Sequence, residues 1–158
     1  MKLAKLAILG LMTTASLAQA ASSGTLLIQG VVNVVNDIVI TPTASATTLS
    51  ITGGETNKLV ASVAETSNNL AGYKIQMSSA NASKLVHTVD NTKQTGYTVS
   101  YNGAAAVTLT TTPQTVKNVA SLAGLTTANS NVNVNVTALS TAVAGTYQDT
   151  ITIAIVAN

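Results

Sequence analysis

GTLLIQGVVNVVNDIVIT, residues 24–41, decides the fold, because it is too long and too apolar for one strand at the edge of a small domain. Every second residue puts Leu26, Ile28, Gly30, Val32 and Val34 on one face, with Thr25, Gln29 and Asn33 among those opposite, the period of a half-buried strand. Fully extended it would span roughly 60 Å, whereas strands of globular domains usually run ~5 to 6 residues. Either it bends around residues 33–37, or its first half pairs with something outside its own domain.

Upstream lies an address rather than a structural element. Lys2 and Lys5 precede a short apolar core at residues 6–12, and Ala18-Gln19-Ala20 has the small-x-small pattern of a secretory cleavage site, placing the cut between Ala20 and Ala21. That apolar core falls well short of the ~20 residues a spanning helix needs, and no later stretch reaches that length, so no membrane insertion of the mature chain is expected.

The remaining residues suit one domain with a real core. Lys58, Lys74, Lys84, Lys93 and Lys117 balance Asp37, Glu55, Glu65, Asp90 and Asp149, so the formal charge of +2 belongs to the leader. Without Arg or a basic cluster there is no electrostatic footprint for nucleic acid. An exported chain is free to use disulfides, yet this one has no cysteine, nor any Phe or Trp. Stability must come from strand pairing and from Val, Ile, Leu, Ala and four tyrosines, side chains that suit the thin interior between two sheets.

Downstream the pattern is almost wholly β. Strands are predicted at 48–52, 58–65 (KLVASVAE), 72–79 (GYKIQMSS) and 84–89. A hairpin is predicted from 97–101 through Asn102-Gly103 to 106–110. Residues 116–122 fit a strand or a short helical turn, 132–139 (VNVNVTAL) alternate strictly, and 146–156 (TYQDTITIAIV) form the last strand, with Tyr147, Ile151, Ile153 and Ile155 on one face. Strands at this spacing predict a β-sandwich.

Catalytic constellations are thin. His87 stands alone and reads as an ordinary strand or loop residue, and the five carboxylates show no metal-ligand spacing, so no enzyme activity, metal or cofactor is expected. Lysines and asparagines would permit a Lys–Asn isopeptide staple, which the sequence cannot place; solvated lysines and turn asparagines are the simpler reading.

Four pieces together resemble a pilin of the chaperone-usher pathway, in the Cys-free manner of alpha-class fimbrial major subunits, with similarity to the spore coat protein U domain. They are TLLIQGVVNVVNDI, VAETSNNLAGYKIQMSSAN, GYTVSYNG and AGTYQDTITIAI with its Gly-x-Tyr-x-Asp start. The chain departs from many relatives in lacking a disulfide and an aromatic residue just before its C-terminus.

The resemblance implies an immunoglobulin-like β-sandwich lacking its final strand and completed by donor-strand exchange. Residues 21–34 would be the N-terminal extension and 35–158 the domain. Leu26, Ile28, Gly30, Val32 and Val34 would enter a neighbour's groove lined by Ile151, Ile153 and Ile155 of the C-terminal strand. Its partners would be other copies of the chain, a periplasmic chaperone and an outer-membrane usher, on a route through the periplasm to an extracellular fimbrium that supports adhesion or biofilm formation. The alternative is a self-complete secreted sandwich, a monomeric adhesin or a coat or matrix protein, in which residues 24–41 form one long bent strand with Gly30 at the bend.

Overall fold

The computed structural model describes residues 22–158, so the leader and its cleavage between Ala20 and Ala21 lie outside the described residues. The chain divides into two units, one ending at Val32 and one spanning Asn33–Asn158. In the first, residues 22–32 form no strand, and Leu26, Ile28 and Val32 are exposed by 83%, 86% and 86%.

The second unit holds nine strands: β1 (Asn36–Pro42), β2 (Glu55–Ser67), β3 (Tyr73–Ser79), β4 (Lys84–His87), β5 (Gln94–Tyr101), β6 (Gln114–Val119), β7 (Thr126–Val136), β8 (Tyr147–Gln148) and β9 (Ile151–Ala157). They build two antiparallel sheets, one in the order β1-β2-β7-β5-β4-β8 and one in the order β6-β3-β9. The only helical element among the described residues is a 3-10 turn, Ala44–Thr47. The protein is an all-β sandwich.

The strands form where the period-two pattern demands it. In β3, Tyr73, Ile75, Met77 and Ser79 are buried while Lys74, Gln76 and Ser78 are less so; β5 buries Thr95, Tyr97, Val99 and Tyr101. In β7, Val132, Val134 and Val136 face inward. The intervening asparagines serve the backbone: Asn135 Oδ1 accepts from Asn57 N–H at 2.8 Å, and Asn133 Nδ2 donates to Asn57 O at 3.0 Å. They hold Asn57 at φ 49, within the register shift that opens β2.

Three expectations are corrected. Residues 48–52 form no strand, because Ser50 N–H donates to the Glu55 carboxylate at 2.9 Å and Gly53 N–H to Ser50 Oγ at 3.2 Å, local bonds that compete with a ladder. The Asn102-Gly103 turn is present with φ 51 and 75, both positive as a tight hairpin turn requires, but residues 106–110 contribute only a Val99–Val107 bridge. Leu109 instead drops into the core at 0% exposure, its N–H taken by Ser83 Oγ at 2.7 Å. Finally, 146–156 is two strands: β8 pairs with β4, β9 pairs with β3, and the chain changes sheets at Asp149 and Thr150.

Two ends of the sandwich position everything that follows. At one end lie the turn after β2, the start of β1 (Asn36 opposite Ser67) and the end of β9, where Asn158 Nδ2 donates to Ala71 O and Val119 O, both at 2.8 Å. Gly72 in that turn has φ 77, and a Cβ there would sit 1.8 Å from Val119 O, so the close approach requires glycine. At the other end are Pro42, the 3-10 turn, Asp149 and the start of β9.

Candidate functional site

β9 is hydrogen-bonded to β3 along one edge, and among the described residues no strand pairs with the other. The edge strand of the larger sheet, β1, lies against it. Between them opens an apolar groove of about 230 Å³, walled by Ile40 and Pro42 from β1 and by Ile151 and Ile153 from β9, with Val60, Val132 and Val134 beneath. Of the three isoleucines expected to line such a groove, Ile151 and Ile153 do so; Ile155, opposite Ile75 on β3, packs on the core and lies outside the lining.

The expected donor residues are not brought into a strand. Leu26, Ile28 and Val32 are exposed, Gly30 has open space where a Cβ would be, and Val34 is 65% exposed. The start of the folded unit is fixed by Asn68. Its Oδ1 accepts from Val35 N–H at 2.7 Å, its Nδ2 donates to Asn33 O at 2.9 Å, and its own N–H donates to Val35 O at 3.2 Å. The Asn68 side chain thus prolongs the β1–β2 ladder as far as Asn33, where the second unit begins.

Apart from the groove, the core holds a charged cluster, built on β2, β3, β5 and β6, that sequence reasoning missed. Glu65 is fully buried and its carboxylate accepts from Tyr73 Oη at 2.7 Å, from Tyr101 Oη and from Lys117 Nζ at 2.7 Å. Burial pushes this carboxyl up, but hydrogen bonds from Lys117, Tyr101, Tyr73 and Ser130 outweigh it and hold the group below its ordinary value. The signal was present in KLVASVAE, where Glu65 shares the inward phase of Val63. Lys117 is the ion-pair partner of Glu65 and also donates to Ser130 Oγ at 3.2 Å.

Asp149 is the second polar centre. Oδ2 accepts from Tyr97 Oη at 2.7 Å and Ser79 Oγ at 2.5 Å; Oδ1 accepts from Asn81 N–H at 3.0 Å and Thr150 N–H at 2.7 Å. These bonds replace ladder bonds where the chain changes sheets. They tie the groove-lining strand β9 to β3 and β5.

The other members of the Gly145-x-Tyr147-x-Asp149 run are structural too. His87 Nδ1 accepts from Val89 and Asp90 N–H, which leaves Nε2–H to donate to Ala144 O at 3.2 Å. Tyr147 meets the imidazole edge-on at 5.1 Å, and a Cβ on Gly145 would lie 2.0 Å from Nε2. His87 is a packed strand residue with its polar atoms occupied. Among the described residues no three His, Asp or Glu side chains are grouped to hold a metal.

The site is thus an edge strand of an all-β sandwich, β9, lying beside an apolar groove. Neither a comparison with protein-family models nor one with curated proteins gives a match to this chain.

Proposed function

We propose that the protein is a structural subunit of an extracellular bacterial pilus, polymerising head-to-tail by donor-strand exchange. The observation that carries this reading is the pairing of an unfilled groove beside β9 with an alternating apolar segment, residues 24–32, that has no strand partner of its own. An edge strand offers backbone donors and acceptors for affinity, and side-chain alternation supplies register. The seven residues of β9 can pair with about the length from Leu26 to Val32.

Burying Leu26, Ile28 and Val32 at ~1.5–3 kcal/mol each gives roughly 5–9 kcal/mol before ordering costs. Because segment and groove are different surfaces, their association does not close on itself and generates a filament. The proposal includes export through the periplasm, handling by a chaperone that lends a strand and an outer-membrane usher, and a role in adhesion or biofilm formation, without catalysis. A self-complete sandwich would place residues 24–41 in one strand; β1 starts only at Asn36, which favours the polymer.

The test is fibre formation by the mature chain, followed by negative-stain microscopy. Ile28→Asp, Val32→Asp or deletion of residues 21–32 is expected to abolish fibres while leaving a folded domain that an added peptide of residues 24–34 stabilises. Normal fibres from the Ile28→Asp chain would sink the proposal.

A further inference from the structure

Resting on the polymer reading above, we infer that consecutive subunits share a second contact, in which Leu70 and Leu125 of one copy seat in a depression beside Tyr147 of the next copy. Both leucines are conspicuous, exposed by 79% and 68%. Both flank the Asn68 clamp: Leu70 is two residues beyond it, and Leu125 adjoins Thr126, which pairs with Ser67. Leu122 N–H donates to Leu70 O at 3.3 Å, so the two loops carrying the leucines are joined.

The clamp leaves no slack. Asn33 and Val35 are bonded to Asn68 of their own subunit, and the free segment ends at Val32. A neighbour's groove holding residues 26–32 therefore ends within one or two residues of the clamp, about 3–7 Å of extended chain. The two bodies must touch there.

Which face they meet follows from the direction of the chain. The segment leaves its own subunit at the end where β1 begins and β9 finishes. If it left the neighbour's groove at that same end, two like ends would collide and the polymer would fold back. A fibre that propagates head-to-tail needs the exit at the opposite end, beside Pro42, Asp149 and Ile151. At that end a depression of about 400 Å³, lined by Leu49, Ile51, Leu85, Gly145 and Tyr147, adjoins the groove and shares Leu49, Leu85 and Asp149 with it. Its lining is mixed, Leu49, Ile51, Leu85 and Tyr147 offering leucine side chains apolar contact among polar neighbours such as Thr47 and Gln148, and the occupant it calls for is a second copy of this chain.

The absence of cysteine makes the test clean. In the full chain, Leu70→Cys or Leu125→Cys is combined with Thr47→Cys or Gln148→Cys at the rim of the depression, and assembled fibres are treated with a short thiol crosslinker. A covalent ladder of multimers is expected from at least one pair, at least tenfold more than from Ser62→Cys, on the exposed side of β2, combined with the same partner. A Leu70→Asp/Leu125→Asp chain is expected to bind the residue 24–34 peptide within twofold of the parent yet form fibres that dissociate at lower denaturant. Fibres without a ladder, and with unchanged resistance in the double Asp chain, would overturn the second contact alone. If the parent forms no fibres, the polymer reading fails and the contact falls with it.

Discussion

Lys117 Nζ on β6 lies 2.7 Å from Glu65 Oε2 on β2, an ion pair that spans from one sheet to the other through the core. Glu65 is at 0% exposure and Lys117 only partly exposed, so neither charge has free access to water. Lys117 Nζ also stands 5.9 Å from the centre of the Tyr73 ring. A chain without disulfides holds its two sheets together here by charge-assisted hydrogen bonds as well as by apolar packing.

Removing one partner strands the other. Lys117→Met keeps the apolar stem but leaves the Glu65 charge buried with only hydroxyl donors, and is expected to cost about 3–5 kcal/mol. Replacing Glu65 by Leu as well should recover part of that loss. Denaturant unfolding of both variants checks this, and a loss below about 1 kcal/mol for Lys117→Met would show the pair to be dispensable.

Stability should fall at both extremes of pH. Glu65 is depressed in the folded state, so its contribution is complete above the ordinary carboxylate value near 4.3 and is lost as pH falls through the lower folded value. The phenols of Tyr73 and Tyr101 are pushed up by burial and by the neighbouring Glu65 carboxylate, and Tyr97 by burial, with Asp149 adding to it. Their contribution is complete below the ordinary tyrosine value near 10 and is lost as pH rises above it. Denaturant midpoints across pH, with tyrosinate absorbance on the alkaline side, are expected to show these three tyrosines ionising only together with unfolding.

Asp149→Ala removes four acceptor contacts at the junction of β8 and β9. A loss of about 1.5–3 kcal/mol or more is expected, since hydrogen bonds to a charged group contribute in that range each. Amide exchange should quicken in β9 before it does in β2 and β7, because Asp149 anchors the start of the groove strand. Uniform loosening of all strands would contradict that assignment.

A peptide of residues 24–34 should stabilise the chain lacking residues 21–32, by about 2.7 kcal/mol when the peptide is at one hundred times its Kd. Ile28→Asp in the peptide is expected to weaken binding at least tenfold, because a buried isoleucine contributes ~1.5–3 kcal/mol. Thermal unfolding against peptide concentration measures both. No dependence on peptide would remove the groove as its site.

Single glycines carry comparable weight. Gly72→Ala adds a methyl 1.8 Å from Val119 O at a backbone φ of 77, and is expected to be severely destabilising, whereas Gly30→Ala meets no atom within 4 Å and should leave the monomer unchanged. Paired unfolding curves distinguish them.

The strands that alternate over a buried face were readable in advance: GYKIQMSS became β3, VNVNV closes β7 and the isoleucines of 151–155 lie in β9. Errors fell where side chains compete with the ladder. Ser50 and Glu55 turn residues 48–53 away from strand geometry, and Asp149 divides what alternation alone presents as one run. Period-two patterning records which face is buried but not when a strand changes sheets. The Asn68 clamp and the Glu65–Lys117 pair were illegible for a related reason, since their partners lie 33 to 52 residues apart.

By itself, the sequence of residues 24–41 determined that the chain carries more alternating apolar backbone than one edge strand can use, and the rest determined an all-β sandwich. Only the tertiary structure decided where the surplus ends, at Val32, because Asn68 can satisfy the backbone of Asn33 and Val35 but reaches no further. It alone also decided that among the described residues the second edge of β9 stands unpaired, since an open edge depends on which strands become neighbours, and alternation within a single strand does not encode its neighbours.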